Sequence, residues 1–175
     1  VDNQEAAYSG VTHLIDTGCR KILFLGGPKG VYTTGERLKG YRQALREAEI
    51  PFQKEYITYG AYSTASGYER VRHIIEAYPE TDAIFAGADT IAIGVLRALR
   101  ELNIPVPGQV SVLGFDNIML SADLTPALTT VAQPIYEMGY RAARKLLALI
   151  GGDPEGAKSE CMSTTLVQRE STRSR

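Results

Sequence analysis

Lys21-Ile22-Leu23-Phe24-Leu25-Gly26-Gly27 is the stretch that decides the fold. Its apolar run is short and continuous, and glycines close it, as expected of a strand buried on both faces of a parallel sheet. Upstream, Ala7, Val11, Leu14 and Ile15 recur at helical spacing behind Asp2, with Glu5 three positions after it, so a capped helix leads into the strand and Gly18 stops that helix. Downstream the alternation repeats. Leu38, Tyr41, Leu45 and Ala48 mark a helix, Tyr56-Ile57-Thr58-Tyr59 a strand, and Tyr68, Val71, Ile75 and Tyr78 another helix. Ala83-Ile84-Phe85-Ala86 is the next strand. Ile91, Val95, Ala98, Leu99 and Leu102 form a helix that ends before Pro105, and Val110-Ser111-Val112-Leu113-Gly114 is a further strand. Such alternation with short links predicts a doubly wound, parallel α/β layer with right-handed crossovers, because each helix must cover a face of the sheet.

Past Asp116 the pattern changes. An irregular stretch with Pro126 leads to a strand-like Leu128-Thr129-Thr130-Val131, then to a strongly apolar helix carrying Met138, Ala142, Leu146 and Leu149, ended by Gly151 and Gly152. A short strand around Thr165-Leu166-Val167 precedes a polar segment from Arg169 to Arg175, which is expected to fray because nothing in it looks suited to burial. The expected division is 1–128 as one subdomain, 129–168 as segments returning toward another layer, and 169–175 as a tail.

At 175 residues, 44% hydrophobic and 22% charged, the chain has the composition of an ordinary globular domain, which excludes disordered and membrane classes. Nineteen basic against twenty acidic residues leave no excess positive field for nucleic acid, so DNA would be reached only through other segments. Cys19 and Cys161 form neither a disulfide ladder nor a CxxC pair, which favours a reducing compartment. The sequence begins Val1-Asp2-Asn3-Gln4 without methionine or a signal-peptide pattern, and the natural N-terminus is expected to lie upstream.

In parallel sheets, ligands gather at the carboxyl ends of the strands. Thr33, Thr34 and Arg37 follow the first strand, Tyr62 and Ser63 the second, Asp89 the third, and Asp116 and Asn117 the fourth. A carboxylate accepting vicinal hydroxyls, a guanidinium fork and an aromatic ring over an apolar sugar face form a chemically coherent set for a small polyol or sugar. Plainer readings stand beside it: Asp89 as a helix N-cap, Arg37 as a surface arginine, Tyr62 as rim packing. Gly26-Gly27-Pro28-Lys29-Gly30 matches neither GxGxxG nor GxxxxGK with a following Ser or Thr, and reads as a flexible lid. His13 and His73 lie within helices, so no nucleophile–histidine arrangement arises, and the acidic residues lack metal-ligand spacing. No catalysis, metal or cofactor is expected.

Taken in order, these motifs resemble the lactose-repressor/galactose-repressor (LacI/GalR) family of bacterial regulators over nearly the whole chain. Arg37-Leu38-Lys39-Gly40-Tyr41 resembles the family's RxxGY segment, and Ala88-Asp89 with Ala92-Ile93-Gly94 its NDxxAxG segment. Val106-Pro107, Val110-Ser111-Val112 and Gly114-Phe115-Asp116-Asn117 are similar to VPxDVSVxGFDD. Pro126, Leu128-Thr129-Thr130-Val131 and Leu166-Val167-Gln168-Arg169-Glu170-Ser171-Thr172 look like its PxLTTV and LVxRxST endings.

The resemblance implies a periplasmic-binding-protein-like fold of type I. The chain would be mainly the C-terminal subdomain, without the helix-turn-helix head and most of the first subdomain. It further implies a cytoplasmic repressor core that binds a sugar-like effector, forms a homodimer, touches DNA only through the missing head and does not engage a membrane. Effector contacts would come from Arg37, Tyr62, Asp116, Asp89 and Thr33, and the dimer surface from Ile91, Ile93, Leu96, Leu120 and Leu124, for which core packing is the alternative. Ala88 departs from the family's asparagine, which removes an amide and speaks against a standard hexose. Cys19 stands where histidine is common, a change confined to packing. The rival readings are an exported sugar-binding receptor of the same fold and an enzyme on a flavodoxin-like sheet.

Overall fold

Asp2 opens the first helix as its sequence position predicts: one carboxylate oxygen accepts from the backbone N–H groups of Gln4 and Glu5, both at 3.0 Å. Gly18 closes it with φ near 94°, a conformation costly for any side chain, and lets Cys19 donate back to the Leu14 carbonyl. In this computed structural model, which describes residues 1–153 and 158–174, the helices are α1 (Asn3–Asp16), α2 (Tyr32–Glu47), α3 (Thr64–Ala77), α4 (Asp89–Glu101) and α5 (Ile135–Ile150). The strands are β1 (Ile22–Gly26), β2 (Ile57–Tyr59), β3 (Ala83–Ala86), β4 (Ser111–Asp116), β5 (Thr129–Ala132) and β6 (Thr165–Val167).

The strands form one sheet in the order β2-β1-β3-β4-β5-β6. All neighbours pair in parallel except β6, which runs antiparallel along β5 at the edge. The chain therefore winds outward from β1 to β2, then returns to build β3 and β4 on the other side of β1. That reversal opens a crevice at the carboxyl ends of β1 and β3.

Both faces of the sheet are covered, which is why its central strands read as unbroken apolar runs. Ile22 and Phe24 point toward α1 and α2 and pack with Leu14, Tyr41, Phe85 and Phe115. Leu23 and Leu25 point the other way and pack with Ile84 of β3 and with Val71, Ile91, Val95 and Leu99 on α3 and α4. Each large side chain so enclosed contributes roughly 1.5–3 kcal/mol. Helices α3 and α4 touch backbone to backbone: a Cβ on Gly94 would stand 2.0 Å from the Thr64 carbonyl oxygen, and one on Gly67 2.2 Å from that of Ile91.

Three expectations need correction. Within 129–168, Thr129–Ala132 and Thr165–Val167 do not leave the layer; they extend the sheet beside β4 and β5. The Arg169–Arg175 segment does not fray over its described part, because short hydroxyl side chains are buried there with partners. Ser171 Oγ donates to the Val112 carbonyl (2.6 Å) and accepts from Thr129 N–H (2.8 Å), while Thr172 Oγ1 bonds His13 Nε2 (2.9 Å) and Thr129 Oγ1 (3.0 Å). Of the dimer set, Ile91 is fully buried, Leu96 nearly so and Leu124 packed on the core, whereas Ile93 is half-buried and Leu120 exposed. The alternative reading as core holds for Ile91, because its helix face turns inward.

Helix α5 differs from the others. None of its residues is buried, and Tyr136, Tyr140, Leu146, Leu147 and Ile150 are exposed although its pattern is strongly amphipathic. Among the described residues no helix is long and apolar enough to cross a membrane.

Candidate functional site

Arg37 sits in the second turn of α2, directly over the crevice between β1 and β3, and only 6% of it is exposed. Its guanidinium is fixed from several sides. Nε donates to Asn3 Oδ1 at the start of α1 (2.9 Å) and Nη1 to the Gly87 carbonyl just after β3 (2.5 Å). The plane lies over the Phe115 ring, with Cζ 3.7 Å from its centroid, and Nη2 stands 3.8 Å from Asp116 Oδ1. A surface role for Arg37 is thereby ruled out.

Asp116 is the last residue of β4, where the strand ends abruptly: φ is 125° at Asp116 and 59° at Asn117, values that non-glycine residues seldom adopt. Its Oδ1 accepts from Gln133 Nε2 at 2.6 Å. Burial raises the carboxyl above its ordinary range, and the attraction of Arg37 and the Gln133 hydrogen bond only partly offset this. Burial likewise lowers Arg37, with Asp116 opposing. A guanidinium keeps its proton in a protein, so the pair is a fixed cation beside a carboxylate held in poor solvation.

Tyr62 completes the group. Its hydroxyl lies 2.7 Å from Thr34 Oγ1 and 3.2 Å from Thr33 Oγ1, and Thr34 is one helical turn before Arg37. The ring rests on Gly27, where a Cβ would stand 2.0 Å from Tyr62 Cζ. Gly26 and Gly27 are buried and serve as a seat for the aromatic ring, whereas Pro28, Lys29 and Gly30, the rest of the expected lid, are exposed. One edge of that ring stays open to solvent, as does part of the Asp116 carboxylate.

Asp89, expected as a ligand contact or an N-cap, is neither. Ala88 occupies the cap position, and Asp89 is wholly buried. Its Oδ1 accepts from Thr130 Oγ1 (2.6 Å), and its Oδ2 from Ser121 Oγ (2.6 Å) and Ile118 N–H (3.0 Å). It ties α4 to β5 and to the turn Met119–Ala122. Four residues escaped the sequence reading: Asn3, Phe115 in its stacking role, the Gly87 carbonyl and Gln133. Gln133 follows β5 at a strand end, so the rule that found Asp116 would have found it had β5 been assigned to the sheet.

The structure thus brings Arg37, Asp116, Tyr62 and Thr33 to one edge, with donors, an acceptor and an aromatic face converging. That is the chemistry for a small hydroxyl-bearing ligand. Among the described residues no group of histidine, cysteine or acidic side chains could hold a metal ion.

Comparison with known proteins gives a consistent result. The family described as periplasmic binding protein-like domain matches residues 11–172. The HTH-type transcriptional repressor CytR of Escherichia coli (strain K12) is 35% identical over 173 residues, covering 99% of this chain and 51% of the relative. Among solved structures, the Escherichia coli transcriptional repressor ascG superposes with a TM-score of 0.87 at 33% identity, over 99% of this chain and 63% of that one. A complex of the transcriptional regulator CelR with cellobiose does so with a TM-score of 0.89 at 33% identity, over 98% and 52%. The chain spans about half the length of the curated relatives it matches. Fold, strand-end chemistry and these likenesses agree, and the chain belongs to the periplasmic-binding-protein-like domain family, in the form carried by LacI/GalR-type transcriptional regulators.

Proposed function

We propose that this chain is the effector-binding and dimerisation part of a bacterial transcriptional repressor, which senses a small sugar-like metabolite and transmits its binding to a DNA-binding head outside the chain. The carrying observation is the Arg37–Asp116 pair, held at the strand ends beside the Tyr62 ring. A buried cation fixed beside a carboxylate that stays partly open to solvent, next to an aromatic ring, matches vicinal hydroxyls and a ring face. The solved CelR complex with cellobiose supports a sugar as the ligand class. Ala88, apolar at the start of α4, directs the choice away from a hexose that needs an amide at that position.

In this reading α5 packs against a first subdomain supplied by the rest of the protein, whose cleft-facing wall completes the site. The isolated chain then binds small sugars weakly. Ile93 and Leu120 contribute to a homodimer face, and the protein works in the cytoplasm without catalysing a reaction. Effector binding biases the angle between subdomains only through a difference in affinity for the two states. A thermal-shift screen of sugars and nucleosides on the full-length protein, followed by calorimetry, tests this. One ligand should bind in the micromolar range and lose at least tenfold in Arg37→Ala and Asp116→Ala. A ligand whose affinity ignores both substitutions sinks the assignment.

A further inference from the structure

Arg70 lies in α3, outside the group described above, and has an unusual set of partners. Its Nε donates to the Ser66 carbonyl in the first turns of α3 (3.0 Å). Its Nη1 donates to the Gly26 carbonyl at the end of β1 (2.8 Å) and reaches the Thr58 carbonyl (3.3 Å) and Thr58 Oγ1 (3.4 Å) on β2. Nη2 is buried and makes no hydrogen bond within the described residues. Gly60 lets the side chain pass: a Cβ there would come within 2.9 Å of Arg70 Nε.

These partners have one thing in common. Thr58 and Ser66 bracket the segment that carries Tyr62, and Gly26 immediately precedes Gly27, the seat of the Tyr62 ring. Gly60 N–H also donates to the Gly27 carbonyl (3.4 Å), so loop and seat adjoin. A planar guanidinium can serve three diverging carbonyls from a fixed fork; a lysine ammonium on its flexible stem cannot hold the same geometry. A partly buried cation whose enclosed N–H group is idle is destabilising by itself. Burial also holds Arg70 down at about 10, and no carboxylate offsets it. A group kept at such a cost beside a binding edge is more readily explained by what it positions than by what it stabilises.

We infer that Arg70 is a positioning residue for the aromatic wall: it clamps the Gly26–Gly27 seat and both ends of the Tyr62 segment, setting where that ring stands over the site. The inference rests on reading Tyr62 as part of the effector site, but its test does not. The chain holds ten tyrosines, so it can be labelled uniformly with meta-fluorotyrosine, the Tyr62 and Tyr41 fluorine resonances being assigned by their loss in the Tyr→Phe variants. In Arg70→Gln and in Arg70→Lys the Tyr62 resonance should move by more than its linewidth toward the free amino acid, while that of core Tyr41 stays in place. An unmoved Tyr62 resonance in either folded variant overturns the inference. So does a joint shift of Tyr41 and Tyr62, or loss of folding in both variants, since those are the marks of a general structural brace. Effector affinity in full-length Tyr62→Ala separates the two ideas: if it is unchanged, Tyr62 is not in the site, whatever the fluorine spectra report about Arg70.

Discussion

Replacing Asp116 by asparagine separates binding from stability at the Arg37–Asp116 pair. The substitution removes the attraction between unit charges 3.8 Å apart, about 4 kcal/mol at the effective dielectric suited to partly buried pairs. It also removes the desolvation of a carboxylate whose side chain is only 21% exposed, a cost of several kcal/mol. The raised carboxyl shows which wins: burial outweighs Arg37 and Gln133 together, so the ionised form is a net burden on the folded chain. Asparagine keeps an oxygen for Gln133 Nε2, and Arg37 keeps Gly87, Asn3 and the Phe115 ring. The unfolding free energy of Asp116→Asn at neutral pH is therefore expected within about 1 kcal/mol of the unsubstituted chain, on the stabilising side. Urea titration followed by circular dichroism measures it. A loss of about 3 kcal/mol or more, the cost of orphaning a buried cation, would refute the reasoning.

Because the folded carboxyl of Asp116 is raised, protonation favours the free folded chain as pH falls through that range. A ligand whose hydroxyls donate to the carboxylate opposes this and releases a proton, so affinity measured by calorimetry should fall on acidification below the raised value, at most tenfold per pH unit, with a flat profile in Asp116→Asn. Asp89→Ala strands three internal donors and should cost about 2–4 kcal/mol in the same urea titration; a cost under about 0.5 kcal/mol would show the network to be idle. Ser171→Ala leaves Thr129 N–H and the Val112 carbonyl without their side-chain partner and should cost about 1–3 kcal/mol, which would not occur if the segment frayed. Leu147→Glu on α5 should leave this chain within about 0.5 kcal/mol of its stability, because Leu147 is 67% exposed. In the full-length protein the same change should lower the melting temperature, and equal effects in both would contradict packing against a further subdomain.

Apolar runs such as Ile22–Leu25 and Ala83–Ala86, punctuated by glycine, carried the parallel α/β layer directly, since a strand covered on both faces has no polar side to show. The placement of Arg37 and Asp116 was legible for a related reason: parallel strands deliver their following residues to one edge, so position in the chain already implies position at that edge. Asp89 obeyed the same positional rule and was misread. Whether a carboxylate after a strand faces solvent or three internal donors depends on Ile118, Ser121 and Thr130, which lie far along the chain. Ser171 and Thr172 were misjudged likewise, because hydropathy does not register a hydroxyl whose hydrogen bonds are met inside. Local pattern thus determined the layer, the strand ends and the residue types gathered there. Only the tertiary structure decided that Gly27 seats Tyr62, that Arg70 clamps that seat, and that burial outweighs Arg37 at Asp116, because contact between distant segments and exclusion of water arise only when the chain has closed on itself.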